Sequence, residues 1–121
     1  MTLADYITLH LTAPFVWGKN DCATFAANWV KEYLGRDYLD GMGDWDTAFK
    51  AGRLLSQLGG YEIIMEERLF QRIHPNFAFD GDIALHHNCL RLFSGRYITG
   101  PGVSGLVFFN RMEAECAWRC A

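Results

Sequence analysis

The segment Trp17-Gly-Lys-Asn-Asp-Cys-Ala-Thr-Phe-Ala-Ala-Asn-Trp-Val30 constrains the fold more than any other stretch. A glycine turn leads into two Asx residues, and an apolar stripe follows them. Asn20 or Asp21 can cap a helix, because a short side-chain oxygen accepts from the unpaired amides of a first turn. Cys22, Phe25, Ala26, Trp29, Val30 and Tyr33 recur at helical spacing, so the helix turns one face to a core. Gly35 supplies its stop. Cys22 therefore stands in a first turn, where orphan amides and the helix dipole favour an anionic sulfur. A buried core thiol fits the same position, since free cysteine is among the most buried residue types.

A chain of 121 residues suffices for one domain, 1–121, with one core, and an apolar half argues against disorder. The net charge of −3 comes without a basic patch, which argues against a nucleic-acid partner. No apolar run approaches the roughly 20 residues of a membrane helix. The opening Met-Thr-Leu-Ala-Asp lacks a basic secretory leader, so synthesis in the cytoplasm is expected. Cys22, Cys89, Cys116 and Cys120 match no zinc or iron–sulfur spacing, and neither a metal nor a cofactor is assigned. Cys116 and Cys120 would meet only if their segment were helical.

Residues 3 to 11 read as a helix capped by Thr2, with His10 a packed or solvent-edge residue. After the loop Arg36 to Trp45, Asp44 or Asp46 can open a helix over 47–58, which Gly59-Gly60 closes. Tyr61 to Met65 reads as a strand. Ile83–His86, Leu90–Phe93, Arg96–Thr99 and Gly105–Phe109 are four short apolar runs between glycine turns, the pattern of an antiparallel sheet. Gly100-Pro-Gly102 is too rich in breakers for an interior strand. Met112 to Trp118 reads as a helix or strand covering one edge. Helices first and strands later is an α+β order. Trp17, Trp45, Phe108, Phe109 and Trp118 exceed what so small a core can hold at its centre, which points to an interface.

Trp17-Gly18-x-x-Asp21-Cys22 before a helix, with Gly81-Asp82 opening the first strand of a sheet, resembles the NlpC/P60 branch of the papain-like cysteine peptidases. More narrowly, Phe15-x-Trp-Gly-x-x-Asp-Cys-x-x-Phe-Ala-Ala-x-Trp29, Gly105-Leu-Val107 and Ala117-Trp118-Arg119 make the chain similar to small phage and prophage proteins of the DUF6950 type. The resemblance implies a papain-like topology, N-terminal helices followed by a small antiparallel sheet, with Cys22 as nucleophile. The base belongs on the strand ending at Gly95. Counting back from that glycine, the family histidine falls on Cys89, and the third member falls on Thr99. Asp21 and Asp82 are the further residues that could orient a base or line an oxyanion site, although capping is the commoner role of Asp21.

His86 and His87 are the imidazoles that a different hairpin register would bring to Cys22. Adjacent strand residues face opposite ways, so at most one could reach it. His74, beside Pro75, has a weaker claim. A histidine at Cys22 would give acyl transfer: a thiolate attacks an amide carbonyl, helix-start amides hold the oxyanion, and water cleaves the thioester. Without one, Cys22 is reactive with little turnover, since imidazole is the group poised near neutral pH. The resemblance thus implies a phage tail-tip or tail-assembly component on a degenerate peptidase scaffold, partnered by other tail-tip or hub proteins within a virion. The alternative it implies is an active endopeptidase or amidase acting on peptidoglycan stem peptides.

Overall fold

A computed structural model describes residues 1–120. Thr2 starts helix α1 (Leu3–His10): its hydroxyl accepts from the Asp5 amide, and the Asp5 carboxylate accepts from the Thr2 amide. Helix α2 (Cys22–Leu34) begins on Asp21 and ends on Gly35, whose φ of 69° is left-handed. It buries Cys22, Phe25, Ala26, Trp29 and Val30 as its spacing requires. Tyr33 departs from the stripe. It lies outside, 61% exposed, with its ring stacked on Trp29.

Helix α3 (Ala48–Gln57) is capped by Thr47, whose hydroxyl accepts from the Lys50 amide; neither Asp44 nor Asp46 is the cap. Its apolar face is only half-buried, and no residue in it is fully enclosed. Tyr61 to Met65, expected as a strand, opens helix α4 (Tyr61–Glu67) instead. Tyr61, Ile64 and Met65 fall at i, i+3 and i+4, and the following Glu66-Glu67 are good helix formers. Leu69, at φ 66°, ends the helix: its amide donates to the Glu66 carbonyl and that of Phe70 to Met65.

The strands are β1 (Gln71–Ile73), β2 (Ile83–His86), β3 (Cys89–Ser94), β4 (Tyr97–Gly102), β5 (Gly105–Asn110) and β6 (Cys116–Arg119). They form one antiparallel sheet in the order β1-β6-β2-β3-β4-β5. The tail therefore does not cover an edge. It enters the sheet between β1 and β2, with Ala117 opposite both Ile73 and Ala84 and Trp118 opposite both Arg72 and Ile83. β1 has no alternating pattern of its own and forms because β6 offers it a partner. Gly100-Pro-Gly102 does lie in a strand. β3 follows β4 only as far as Leu92–Thr99, and beyond that point β4 pairs with β5 alone. One flank of the segment is therefore open, where a residue without an N–H is tolerated.

The sheet buries both faces. Toward the helices lie Phe25, Val30, Met65, Ile83, Leu90, Leu92 and Trp118; on the other face lie Ala78, Ala84, Phe93, Ile98 and Ala117. Of the five aromatics that the sequence reading set against the capacity of the core, Trp118 is fully enclosed, while Trp17 and Phe108 stay 38% and 43% exposed. Cys116 and Cys120 stand in and just beyond the extended β6, so no helical turn joins them.

Gly81-Asp82 clamps this sheet. The Gly81 carbonyl accepts from the Trp29 indole at 3.2 Å. Asp82 is buried and accepts from the amides of Cys120 at 2.9 Å and Phe79 at 2.8 Å, with the Arg119 Nε at 3.2 Å. Asp82 thus fastens the start of β2 to the end of β6. Replacing it would strand two amides, and Asp82→Ala is expected to cost roughly 3 kcal/mol of stability. A urea-unfolding midpoint unchanged from the wild type would contradict that role.

Candidate functional site

Asp21 organises the site. It is 1% exposed, and each carboxylate oxygen takes two hydrogen bonds. Oδ1 accepts from the Thr24 amide at 2.9 Å and the Thr24 hydroxyl at 3.0 Å. Oδ2 accepts from the Gly18 amide at 2.8 Å and the Trp45 indole at 2.5 Å. One side chain thus joins the Trp17-Gly18 turn, the start of α2 and the loop before α3. Gly18 has a φ of 78°, and a Cβ there would collide with the Trp45 carbonyl oxygen. Asn20 is not the cap; its side chain donates to the Pro14 carbonyl.

Cys22, the first residue of α2, is 8% exposed. Its Sγ lies 3.5 Å from the Tyr61 hydroxyl and receives the Leu90 backbone amide. A small apolar pocket lies beside it, with about 40 Å³ of free space. Trp17 and Trp45 form one wall, Tyr61 another, and Leu54, Leu55 and Leu58 reach across it from α3 and its C-cap. Such a pocket suits an apolar group presented to a sulfur.

A second thiol acts on that sulfur. Cys89, half-buried at the start of β3, and Cys22 shift one another's acidity in opposite directions. The Cys89 thiol is drawn down to about 6, chiefly by Cys22; burial opposes this, and Arg91 and His87 reinforce it. The Cys22 thiol rises, first because of Cys89 and then because of burial, although the Tyr61 hydroxyl and the Leu90 amide pull the other way. The first-turn position alone does not make Cys22 the anion. The more exposed sulfur, near Arg91 and His87, is the one drawn toward the thiolate, and burial holds the enclosed one toward the thiol.

Neither candidate histidine is brought to Cys22. β2 and β3 close through a two-residue turn at His87 and Asn88, both left-handed at φ 49° and 57°. That turn pairs His86 with Cys89 in register. His86 follows Ala84 onto the far face of the sheet, packing against Phe109 at 4.6 Å and His87 at 3.9 Å. Its Nε2 lies 3.6 Å from the Glu113 carboxylate, beyond hydrogen-bond length, and neither ring nitrogen finds a hydrogen-bond partner among the described residues. Burial holds its pKa below the ordinary histidine value, assisted by His87 and Arg91 and opposed by Glu113. His87 is exposed on the turn, its amide given to Glu115 at 2.8 Å.

The remaining candidates are committed elsewhere. Thr99 is fully buried and donates to the Val107 carbonyl of β5 at 2.8 Å. Asp82 serves the sheet clamp described above. His74 accepts from the Asn76 amide in the Pro75–Phe77 turn, and His10 packs on Tyr6. Tyr61 is the site residue that the sequence reading missed, because it was placed in a strand. The i, i+3, i+4 spacing of Tyr61, Ile64 and Met65 is the signal that would have found it. Among the described residues, no three His, Cys, Asp or Glu side chains gather to hold a metal ion. No described helix is long and apolar enough to cross a membrane.

Fold and site together define a small α+β protein in which a helix-opening cysteine lines an apolar pocket between α2, α3 and α4. The chain belongs to the family described as a domain of unknown function, DUF6950, whose model matches residues 1–120. No curated protein and no solved structure matches it.

Two outcomes are expected from this geometry. Alkylation of Cys89 by iodoacetamide, followed by peptide mass mapping, rises with pH through a midpoint near 6 and moves toward the ordinary thiol range of about 8.5 in Cys22→Ala. A Cys22 that reacts faster than Cys89 at pH 6 would reverse the assignment. Asp21→Ala leaves the half-buried Trp45 indole and the buried Thr24 amide without an acceptor and is expected to lower stability by about 3 kcal/mol. Its urea midpoint and the fluorescence of Trp45 would both shift; no change in either would remove Asp21 from its organising place.

Proposed function

We propose that this chain is a phage or prophage tail-tip or tail-assembly component that keeps a papain-like, NlpC/P60-type scaffold without its hydrolytic step. The observation that carries the reading is the thiol that acts on Cys22. Hydrolysis through a cysteine needs a base that takes and returns a proton near neutral pH. Cys89, and no imidazole, is among the groups that perturb the Cys22 thiol, while the rings of His86 and His87 stack on one another and His86 packs on Phe109. Thr99, with its hydroxyl committed to the sheet, would have no histidine to orient.

The scaffold part is supported by the element order: a cysteine that opens a helix, then an antiparallel sheet whose β3 strand packs in one core with that helix. The assembly part is supported by the outer surface. Phe77 and Phe79 are 70% and 66% exposed, and Phe79 shares a surface depression with Met1 and Tyr33. Exposed aromatics close together are the usual anchors of protein interfaces.

Two measurements test the two parts. Sacculi or purified stem peptides incubated with the wild type and with Cys22→Ala should release product at the same background rate. Release by the wild type that Cys22→Ala abolishes would establish the peptidase alternative. Coexpression with the tail-hub and tail-tip proteins of the same phage or prophage should give co-elution on size exclusion. A chain that elutes alone from every such combination would overturn the assembly role.

A further inference from the structure

We propose that the face of the sheet opposite the helices carries a carboxylate-binding site built on Arg91 and His86. It is independent of the reading above, because neither residue lines the pocket beside Cys22. Arg91 stands opposite Ala84 in the β2–β3 register, and His86 stands opposite Cys89. Side chains alternate along a strand, so Arg91 and His86 are diagonal neighbours on one face. Both meet Phe109 of β5. The guanidinium carbon of Arg91 lies 5.0 Å from the centre of that ring, and the His86 ring lies 4.6 Å from it. Gly100 of β4 leaves room for the guanidinium, since a Cβ there would stand 3.0 Å from Nη1 and 3.2 Å from Cδ.

What marks the place is a buried cation without a counter-ion. Arg91 is the one arginine buried among the described residues, at 7% exposed. Its Nε has no acceptor, and no ion pair among those residues includes it. Other arginines of the chain are answered: Arg72 by Glu62 and Glu66, Arg119 by Asp82, and Arg111 by three backbone carbonyls. A guanidinium does not shed its proton, so its burial costs free energy until an acceptor meets its N–H groups. His86 is fully buried, and neither of its ring nitrogens has a partner among the described residues. Diagonal neighbours stand about 7 Å apart, a span that one carboxylate can bridge between a guanidinium and an imidazole N–H. The two oxygens of a carboxylate match the planar fork of an arginine. Val107, opposite Gly100, and Phe109 are half-buried and give apolar surface to the group that bears it. A phosphate suits the place less. It brings a second charge, and the Glu113 carboxylate lies 3.6 Å from His86 Nε2. A free carboxylic acid and the C-terminus of another chain present the same group.

The test titrates the full chain, isotopically labelled on nitrogen, and follows the Arg91 Nε–H and the Gly100 and Val107 amides by NMR. Benzoate is the free acid, and N-acetylphenylalanine stands for a chain end. Benzamide and N-acetylphenylalanine amide are their uncharged controls, and inorganic phosphate is the competing anion. At least one acid should shift these signals to saturation. Its amide and phosphate should each bind at least about 10-fold more weakly. Saturation by benzoate alone identifies a free acid as the ligand, and saturation by N-acetylphenylalanine alone identifies a chain end; either supports the site. Arg91→Lys keeps the charge and loses the fork, and should weaken the acid at least about 10-fold. Gly100→Ala, which presses a methyl on Nη1, should weaken it too. No saturable shift with either acid would overturn the proposal. Equal binding by the amides, phosphate binding as tightly as the acid, or full affinity in Arg91→Lys would do the same. The wild-type titration decides the question even if a variant fails to fold.

Discussion

Asp21 is a buried carboxylate with four donors on it, and the site rests on that one side chain. A carboxylate excluded from water survives only when its lone pairs are taken up, and charge-assisted hydrogen bonds are the stronger kind. Thr24 satisfies one oxygen within α2; Gly18 and Trp45 satisfy the other from two separate loops. The same interaction that starts the helix therefore sets where Trp17 and Trp45 stand, and these two rings wall the pocket beside Cys22. An asparagine would offer one acceptor oxygen where two are used. Gly18 follows from the same contact: only a residue without a Cβ can approach the Trp45 backbone so closely while its amide reaches Asp21.

The chemistry of the pocket is decided by a different constraint, the tightness of the β2–β3 turn. With two residues in left-handed conformation, the hairpin has no slack to slide an imidazole toward α2. His86 is left inside a shell of Phe109, His87 and Glu113, where its neutral form is favoured. Cys22 keeps the company of the Tyr61 phenol, and Cys89 raises its pKa. A thiol and an imidazole differ in more than pKa. An imidazole accepts a proton and becomes a cation beside the thiolate; a thiol that gives up its proton becomes an anion and cannot stabilise a thiolate in that way.

Much of this was legible in the sequence where local and tertiary demands agree. The start and stop of α2 and the runs that became β2 to β5 follow from spacing and glycine placement. The count back from Gly95 lands on Cys89, the first residue of β3, because Gly95 and Arg96 make a short turn that pairs Ser94 with Tyr97. The reading failed where an apolar run was short. Tyr61-Glu-Ile-Ile-Met65 fits either period over five residues, and only the following glutamates and the left-handed Leu69 settle it as helix. β1 is fixed by its partner and carries no pattern of its own. Pro101 misleads because a strand interior to the sheet along part of its length is an edge along the rest. The exclusion of His86 depends on which way a turn places one ring, and no spacing in the sequence encodes that.

The position of β6 bears on how the chain is made. The strand that joins the two parts of the sheet is the last of the six to leave the ribosome, and both of its neighbours precede it. Until residues 116–119 emerge, Ile83 and Ala84 have no cross-strand partner on that side, and β1 has none at all. Helix α2 and the β2–β5 meander can form during synthesis, but the slot that takes Trp118 stays open. For that interval an unpaired strand flank faces solvent, the kind of surface that invites pairing with another nascent chain. Vectorial synthesis thus delays closure of this sheet to its final strand.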